Sequence, residues 1–226
     1  MTHRHAIYVA PARGSDLMRL AGGWLGRDAF GDRPRPQPDV AGIAELTAAP
    51  RRYGFHGTLV APFRLHRDRM VDELRSALGA FALSRRAIPL PLAVGRLGPF
   101  FALVPRRDAP ALNDLADRAV ETFHAFRAPL TGEDRARRNP EGLTQQQRDH
   151  LDRWHYPYVF GEFRFHMTLT GPVPEGDRDR VEQAIRDHFD AGVLEGFAVD
   201  GIARYAEPEP AGDFRIRERY ALGGAP

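Results

Sequence analysis

The sequence predicts an α+β fold in which one unit of strands and helices occurs twice. A Phe-His-x-Thr-Leu motif at residues 55–59 returns at residues 165–169, 110 positions later. Around each copy, segments with alternating apolar residues, typical of strands, adjoin segments with the roughly 3.6-residue apolar period of helices. The order of these segments is the same in both halves. Because an internal repeat determines the architecture, we expect two related lobes.

The first unit is expected to end near residue 98. Its predicted elements are a strand at 5–10, a helix near 15–30, the motif strand, a helix at 68–83 and a strand at 88–97. Ser15 can cap the first helix, because its hydroxyl can accept a hydrogen bond from a free amide of the first turn. The strand predicted at 100–104 either closes this unit or opens the next.

The second unit repeats this order. Its predicted elements are a helix at 110–126, the motif strand, a helix at 178–189 and two strands at 194–205 and 214–222. We therefore predict one bilobal domain over residues 1–226, with lobes that follow the repeat at about 1–98 and 99–226.

Two segments interrupt the repeat and are interpreted as insertions. Residues 31–39 are dense in Pro and Arg, whereas residues 128–158 are mostly polar and contain a short predicted helix at 144–154. Long loops often bind ligands or close over a site. Whether the second insertion acts as a lid stays open at this point.

The residue types that are missing exclude several kinds of chemistry. The chain has no Cys, which rules out disulfides, a thiol nucleophile and Cys-ligated zinc or iron–sulfur sites. All 32 basic residues are Arg, so there is no Schiff-base lysine and no phosphate-loop lysine. Residues 1–107 carry 17 Arg against 8 Asp and Glu, while the remainder carries 15 against 22. A basic half suits an anionic ligand, although many arginines are simply solvated or paired.

No segment predicts export or membrane insertion. Residues 1–9 enter a strand-like pattern without the apolar core of a signal peptide, and no run of about 18 apolar residues occurs. We expect a soluble cytoplasmic protein that does not interact with membranes.

The repeated motif places its histidine and threonine on the same face of a strand. Side chains alternate along a strand, so Phe55 and Leu59 point one way while His56 and Thr58 point the other. The apolar residues can pack under the helices, which leaves the His-Thr pair of each copy free to line a groove between the lobes. A strand kept only for its core would preserve Phe and Leu but has no need of His and Thr.

Two histidines and two threonines in one groove suit the cleavage of a phosphodiester. The catalytic candidates are His56, His166, Thr58 and Thr168. One neutral imidazole can take a proton from water or a hydroxyl while a protonated one supplies a proton to the leaving oxygen, and the threonines can donate hydrogen bonds to phosphate oxygens. Histidine suits both roles because its ordinary pKa is about 6.5. We expect neither a metal nor a cofactor, and either histidine can be the acid.

Several segments resemble the two-histidine (2H) phosphoesterase superfamily. The resemblance rests on RHAIY at 4–8, WLGRD at 24–28, RYGFHGTLVAPF at 52–63, YPYVF at 156–160 and FRFHMTLTGP at 163–172. It covers nearly the whole chain and is closest to the branch associated with phosphonate metabolism and carbon–phosphorus lyase gene clusters. The sequence departs from that branch at Val60, where a basic residue is common.

The resemblance implies both a fold and an activity. The fold is a duplicated, pseudo-twofold bilobal one, with antiparallel sheets lining a central groove and helices outside. The activity is that of a metal-independent hydrolase acting on a small cyclic phosphodiester, with 5-phosphoribosyl 1,2-cyclic phosphate as the substrate in phosphonate degradation.

Five further residues are candidates for binding such an anionic phosphorylated substrate. They flank the two motifs or lie at the end of the first predicted strand: Arg52, Tyr53, Arg164, Tyr8 and Arg13.

Two alternative functions remain open from the sequence. One is an RNA-end 2′,3′-cyclic phosphodiesterase, against which stand the small net charge of +2 and the lack of a basic stripe interleaved with aromatic residues. The other is a non-catalytic module that binds a nucleotide or phosphate, for which arginines and backbone amides would suffice without paired histidines. The sequence does not indicate an oligomeric state.

Overall fold

The computed structural model describes residues 4–31, 33–208 and 212–223. In these ranges the strands are β1 (Arg4–Val9), β2 (Arg27–Asp28), β3 (Arg33–Pro34), β4 (Gly57–Arg64), β5 (Ile88–Pro89), β6 (Leu92–Leu97), β7 (Phe100–Pro105), β8 (Met167–Thr168), β9 (Ala198–Val199), β10 (Gly201–Glu207) and β11 (Arg215–Ala221). The α-helices are α1 (Asp16–Leu25), α2 (Ile43–Leu46), α3 (Ala48–Tyr53), α4 (Val71–Leu83), α5 (Pro110–Phe123), α6 (Gly132–Ala136), α7 (Gln145–Trp154), α8 (Arg178–His188) and α9 (Ala191–Glu195). Single 3₁₀ turns cover His124–Phe126, Pro140–Gly142, Phe160–Glu162 and Glu175–Asp177.

Seven strands form one antiparallel sheet in the order β11-β10-β1-β4-β8-β7-β6. The two motif strands, β4 and β8, are neighbours at its centre, where Gly57 pairs with Met167. The order is symmetric about this pair: β1 and β7 come next, followed by β10 and β6. The predicted α+β class, with antiparallel strands and helices outside, is confirmed.

The two halves of the chain exchange their later strands. β6 comes from the first half but pairs with β7, whereas β10 comes from the second half and pairs with β1. Gly98, with a φ of 59°, turns the chain between β6 and β7. Each side of the sheet is therefore built from both halves of the chain. The strand predicted at 100–104 lies in β7, the counterpart of β1, so it opens the second unit.

The helices pack against the sheet and enclose the main core. α4 contacts β10 and β11, α5 contacts β4, and α8 contacts β6. The apolar residues of both motifs are buried in this core, as strand alternation requires: Phe55, Leu59, Phe165 and Leu169. The His and Thr of each motif remain partly exposed. None of the helices in the described ranges is long and apolar enough to cross a membrane.

Some predicted element boundaries are wrong because local turns override the apolar pattern. α1 starts at the predicted cap, where Ser15 accepts from an amide of the first turn, but it ends at Leu25 because Gly26 adopts a left-handed φ of 75°. The first two residues of the strand predicted at 194–205 lie in α9, which the Asp190 side chain caps. The strand predicted at 88–97 is divided into β5 and β6. The apolar pattern does not predict α2 and α3, which precede the first motif.

The insertion at 128–158 is attached to the end of β4. The amide of Ala128 donates to the carbonyl of Arg64 (2.8 Å), which continues the antiparallel pairing beyond the strand. The insertion contains α6 and α7, and an ion pair between Arg135 and Asp152 joins these two helices. The short helix expected in this segment is α7.

Candidate active site

A groove of about 900 Å³ is lined by both copies of the motif. Each threonine lies in its strand, Thr58 in β4 and Thr168 in β8, and the histidines His56 and His166 directly precede these strands. Its other walls come from β1, α3 and the insertion. The structure therefore brings the four predicted catalytic side chains into one cavity.

The orientation of His56 depends on a glycine two residues earlier. Gly54 follows α3 with a φ of 72°, which disfavours other residues, and a Cβ there would lie 2.7 Å from the Cβ of Ala29. The carbonyl oxygen of Gly54 lies 2.8 Å from His56 Nδ1. Because a carbonyl only accepts, Nδ1 carries the hydrogen, and Nε2 is the nitrogen left to exchange a proton.

Buried hydrogen bonds hold the chain around the first motif. Arg27 is 6% exposed, and its guanidinium donates to the carbonyls of Arg51 (2.8 Å) and Phe214 (2.5 Å). The hydroxyl of Tyr205 donates to the carbonyl of Phe55 (2.8 Å). Burial of polar groups is costly unless they are hydrogen-bonded, so these contacts define the end of α3 and the start of β4.

The second histidine has the same local geometry as the first. His166 Nδ1 lies 2.7 Å from the carbonyl oxygen of Arg164, again two residues earlier. β8 has only two residues, and the indole of the buried Trp24 donates to the carbonyl of Leu169 just beyond it (3.0 Å). In both motifs the backbone sets the imidazole so that Nε2 is the nitrogen available for proton transfer.

The two motifs touch through the residue between each histidine and threonine. Gly57 in the first copy pairs with Met167 in the second. A Cβ on Gly57 would lie 2.3 Å from the ring of Phe165. The glycine therefore lets an aromatic ring of the second motif pack directly on the backbone of the first.

One neighbouring residue makes the two histidines different. Tyr8 of β1 pairs with Thr58, and its ring stacks on His56 with 3.8 Å between centroids and 19° between planes. The equivalent position, opposite Thr168, is occupied by Ala102 of β7. His166 has an aromatic neighbour too, but the ring of Phe100 is tilted by 49° with 5.9 Å between centroids. A stacked ring thus covers His56, whereas no ring stacks on His166 among the described residues.

These surroundings lower the pKa of His56 to about 4. Desolvation by burial is the largest cause, the hydrogen bond to Gly54 opposes it, and the charge of His166 adds to the lowering. A histidine with this pKa is neutral at neutral pH, which is the state that a general base requires.

The hydroxyls of Thr58 and Thr168 are available to a ligand. Both side chains are half-buried and line the groove, and neither hydroxyl has a hydrogen-bond partner in the described part of the chain. They can therefore donate to an anion between the two histidines.

Three of the five predicted binding residues line the groove: Tyr8, Tyr53 and Arg52. The charge of Arg52 is already paired, because its guanidinium contacts the carboxylate of Glu207 (2.6 Å), a residue that is 1% exposed. The same carboxylate binds Arg4 (2.5 Å). Arg52 therefore borders the groove as part of a buried ion-pair cluster.

The other two predicted binding residues lie away from the main groove. Arg164 is exposed, donates to the carbonyl of Phe163 (2.8 Å) and lines a smaller cavity of about 250 Å³ that shares His166 with the groove. Arg13 is exposed, packs over the ring of Phe30 at 5.8 Å and lines neither cavity. The binding roles of both stay predictions.

The structure adds arginines to the groove that the motifs do not indicate. They come from β1, the end of β4 and the insertion or its start: Arg4, Arg64, Arg127, Arg137 and Arg138. His155 and Tyr156 line the same wall. The length and polar character of the insertion were the signal available in the sequence, but without a repeat partner its residues could not be assigned to the groove.

The carboxylates that line the groove face arginines. Glu207 contacts Arg4, Asp134 contacts Arg64, and Glu133 contacts Arg137. Among the described residues, no group of three or more His, Asp or Glu could hold a metal ion.

The fold and the groove define an α+β protein with one antiparallel sheet of seven strands and paired His-Thr motifs in one cavity. The chain belongs to the family described as "Protein of unknown function (DUF1045)", whose family model matches residues 58–215.

Two curated relatives share one name. The chain is 36% identical over 231 residues to the ribose 1,5-bisphosphate phosphokinase PhnN of Janthinobacterium sp. (strain Marseille), a match that covers 98% of the chain and 51% of that protein. It is 34% identical over 215 residues to the PhnN of Laribacter hongkongensis (strain HLHK9), covering 94% of the chain and 50% of that protein. The chain thus spans about half the length of the curated relatives it matches.

Similar solved structures include a protein described as a phosphoesterase and E. coli LigT. A structure described as a phosphoesterase has a TM-score of 0.44 and 16% identity, covering 99% of this chain and 100% of that chain. E. coli LigT complexed with NADP+ has a TM-score of 0.41 and 15% identity, covering 99% of both chains.

Proposed function

We propose that this protein hydrolyses a small cyclic phosphodiester with His56 and His166 as an acid–base pair. The observation that carries the proposal is the shared geometry of the two imidazoles. Each lines the same groove and has Nδ1 within 2.8 Å of a backbone carbonyl, which leaves Nε2 for proton transfer. Paired proton transfer of this kind suits phosphodiester hydrolysis, in which the attacking water loses a proton and the leaving oxygen gains one.

In the proposed reaction His56 is the base and His166 is the acid. Nε2 of His56 takes a proton from water while the water oxygen forms a bond to phosphorus. The bond from phosphorus to the leaving ester oxygen breaks, and Nε2–H of His166 gives that oxygen its proton. Thr58 and Thr168 donate hydrogen bonds to the phosphate oxygens that do not react. The low pKa of His56 and its cover by an aromatic ring support this assignment.

The substrate proposed is 5-phosphoribosyl 1,2-cyclic phosphate. The resemblance to the phosphonate-linked branch of the 2H superfamily suggests it, and the name of the curated relatives adds a second argument. Water that opens this cyclic ester at the 2-oxygen of the ribose leaves ribose 1,5-bisphosphate, the compound in the relatives' name. The product of this chain would then be the substrate of the named kinase.

We assign the kinase activity in that name to the half of those relatives that this chain does not match. The chain spans about half of their length and has no lysine, so it cannot supply the lysine of a phosphate-binding loop. A protein with both halves would first hydrolyse the cyclic ester and then phosphorylate the ribose 1,5-bisphosphate that this step releases. We also propose that the reaction needs no metal ion, because the two histidines supply both proton transfers and the two threonines supply the hydrogen bonds to phosphate.

Phosphorus NMR tests the proposed function. The protein is incubated with 5-phosphoribosyl 1,2-cyclic phosphate, ribose 1,2-cyclic phosphate and 2′,3′-cyclic nucleotides, with and without a chelator. We expect ribose 1,5-bisphosphate from the first compound at a rate that the chelator leaves unchanged. Turnover limited to 2′,3′-cyclic ends would favour the RNA-end activity, and binding without turnover would favour a binding module. Activity lost with the chelator and restored by Zn²⁺ or Mn²⁺ would contradict metal independence.

Substitutions in the motifs test the mechanism with the same assay. Changing His56 or His166 to Ala should lower kcat by about 10² to 10⁴, and the double change should cost far less than the product of the two. Thr58→Val and Thr168→Val should weaken phosphate stabilisation. His66→Ala is the control, because this histidine lies outside the groove. Circular dichroism should show that the variants stay folded; a near wild-type rate in the His→Ala variants would refute the mechanism.

A further inference from the structure

Six arginines line the groove, and they fall into two groups. Four have a carboxylate of Glu207 or Asp134 within ion-pair distance: Arg4, Arg52, Arg64 and Arg137. The other two, Arg127 and Arg138, have no acidic partner within residues 4–31, 33–208 and 212–223. Arg127 directly precedes the insertion and Arg138 lies in its first part, and both belong to the same wall of the groove.

Arg127 is an incompletely partnered buried cation. It is 4% exposed, one of its Nη atoms donates to the carbonyl of His155 (3.1 Å), and its Nε is buried without a hydrogen-bond partner among the described residues. The guanidinium also lies 5.8 Å from the ring of Phe63. A buried charge without a counter-charge is costly, so this position favours an anion that arrives with the ligand.

Arg138 lies close enough to Arg127 for the two charges to repel. Its guanidinium packs 4.9 Å over the ring of Tyr156 and forms no side-chain hydrogen bond within the described ranges. Burial and then the charge of Arg138 lower the pKa of Arg127 to about 10. Burial and then the charge of Arg127 lower the pKa of His155, on the same wall, to about 4. Glu133 and Asp134 of the insertion pair with Arg64 and Arg137, so within the described ranges the charges of Arg127 and Arg138 stay without a carboxylate at ion-pair distance.

The backbone of Arg127 lies far from the first histidine, because Arg127 pairs with Leu65 beyond the last residue of β4 and an eight-residue strand is about 26 Å long. The ring of Tyr156 spans part of this distance. Arg138 packs over this ring, and Tyr156 also lines a cavity with Thr58 and His166. A ligand whose reacting phosphate lies between the histidines can therefore place a second anionic group past Tyr156, beside Arg138.

We propose that Arg127 and Arg138 form a second anion subsite, which binds a phosphate monoester carried by the cyclic phosphodiester substrate. This inference rests on the proposed function and adds the residues that select for a doubly phosphorylated substrate. Guanidinium groups suit a phosphate because their planar N–H donors match its oxygens. Through Arg138, the insertion then contributes to the choice of substrate.

A comparison of two substrates that differ only in the second phosphate tests the subsite. The wild-type protein should prefer 5-phosphoribosyl 1,2-cyclic phosphate over ribose 1,2-cyclic phosphate by about 10- to 100-fold in kcat/KM, the usual effect of one or two charge-assisted hydrogen bonds. Arg138→Gln should reduce this ratio by about tenfold, chiefly through KM. Arg127→Gln should do the same, but Arg138→Gln is decisive because the side chain of Arg127 is buried and its loss can impair folding.

Arg153→Gln is the matched control. It removes the same charge from the same insertion, but Arg153 is exposed and does not line the groove, so the substrate ratio should stay at the wild-type value. An equal loss on both substrates in Arg138→Gln, or the same change of ratio in Arg153→Gln, would overturn the subsite.

Binding of ribose 5-phosphate separates this inference from the proposed function. This compound has a phosphate monoester but no cyclic ester, so calorimetry measures the subsite without turnover. We expect Arg138→Gln to weaken binding about tenfold or more relative to wild type and Arg153→Gln. Absence of hydrolysis together with Arg138-dependent binding would refute the function and keep the subsite. Equal binding by all three proteins, or none by wild type, would refute the subsite.

Discussion

The two histidines of the repeated motif have equal backbone geometry but unequal surroundings. Each donates from Nδ1 to the carbonyl two residues earlier, which is a property of the local sequence. The difference comes from the adjacent strand, where Tyr8 stands beside the first motif and Ala102 beside the second. The stacked ring of Tyr8, with Tyr53 and Tyr205 tilted nearby, surrounds His56 more closely than the tilted ring of Phe100 surrounds His166. This asymmetry supports different roles for the two imidazoles.

The pH dependence of kcat/KM should reflect this asymmetry. Because the pKa of His56 is about 4, its base form is lost only as the pH falls through that value, so the acidic limb should lie near pH 4 and not near about 6.5, the ordinary value for histidine. With a p-nitrophenyl diester, whose leaving group needs no proton, the acidic limb should stay, while any loss of rate at alkaline pH that comes from leaving-group protonation should disappear.

Variants of Tyr8 provide the control for this profile. Tyr8→Ala should expose His56 to water and move the acidic limb towards higher pH, whereas Tyr8→Phe keeps the stacked ring and should leave the limb in place. A limb that stays near pH 4 in a folded Tyr8→Ala protein would show that stacking does not set the pKa.

At the level of secondary-structure elements, β4 and β8 are coupled by one close approach. The ring of Phe165 occupies the space where a Cβ of Gly57 would lie, at 2.3 Å. The motif therefore tolerates Met167 at its variable position in the second copy but requires glycine in the first. The packing of the Phe165 ring on Gly57 adds a second contact between the histidine-bearing segments, beside the backbone pairing of Gly57 with Met167.

Gly57→Ala should therefore lower both stability and activity. The added methyl group must displace Phe165, next to His166, at a cost of about 1–3 kcal/mol for overpacking, and kcat should fall because the second imidazole moves. Chemical denaturation and the cyclic phosphodiester assay measure the two effects. Gly176→Ala is the control, since a Cβ there meets nothing within 4 Å. Unchanged kcat in Gly57→Ala would mean that the motif contact does not position His166.

On the scale of the whole molecule, the exchanged strands make the two sequence halves interdependent. β6 leaves its own half to pair with β7, and β10 crosses back to β1. A lobe drawn from the sequence repeat alone, such as residues 1–98, would keep β6 without its neighbour in the sheet. Unpaired strands expose backbone groups that need partners.

Fragments 1–98 and 99–226, cut at the turn of Gly98, test this interdependence. Each alone should lack a cooperative unfolding transition, because each has lost strand partners, and a mixture of the two should recover both the transition and the activity. Thermal unfolding followed by circular dichroism measures the outcome. A cooperative transition for either fragment alone would show that the halves are independent domains.

The sequence by itself determined the features that depend on local periodicity. Strand alternation is a property of neighbouring residues, so it correctly placed Phe55 and Leu59 in the core and His56 and Thr58 on the other face, and the repeat predicted that both copies share one groove. Only the tertiary structure decided the exchange of strands, the cover of one histidine by Tyr8, and the position of Arg127. These features depend on contacts between residues that are distant in the chain, and no local pattern specifies which distant residues meet.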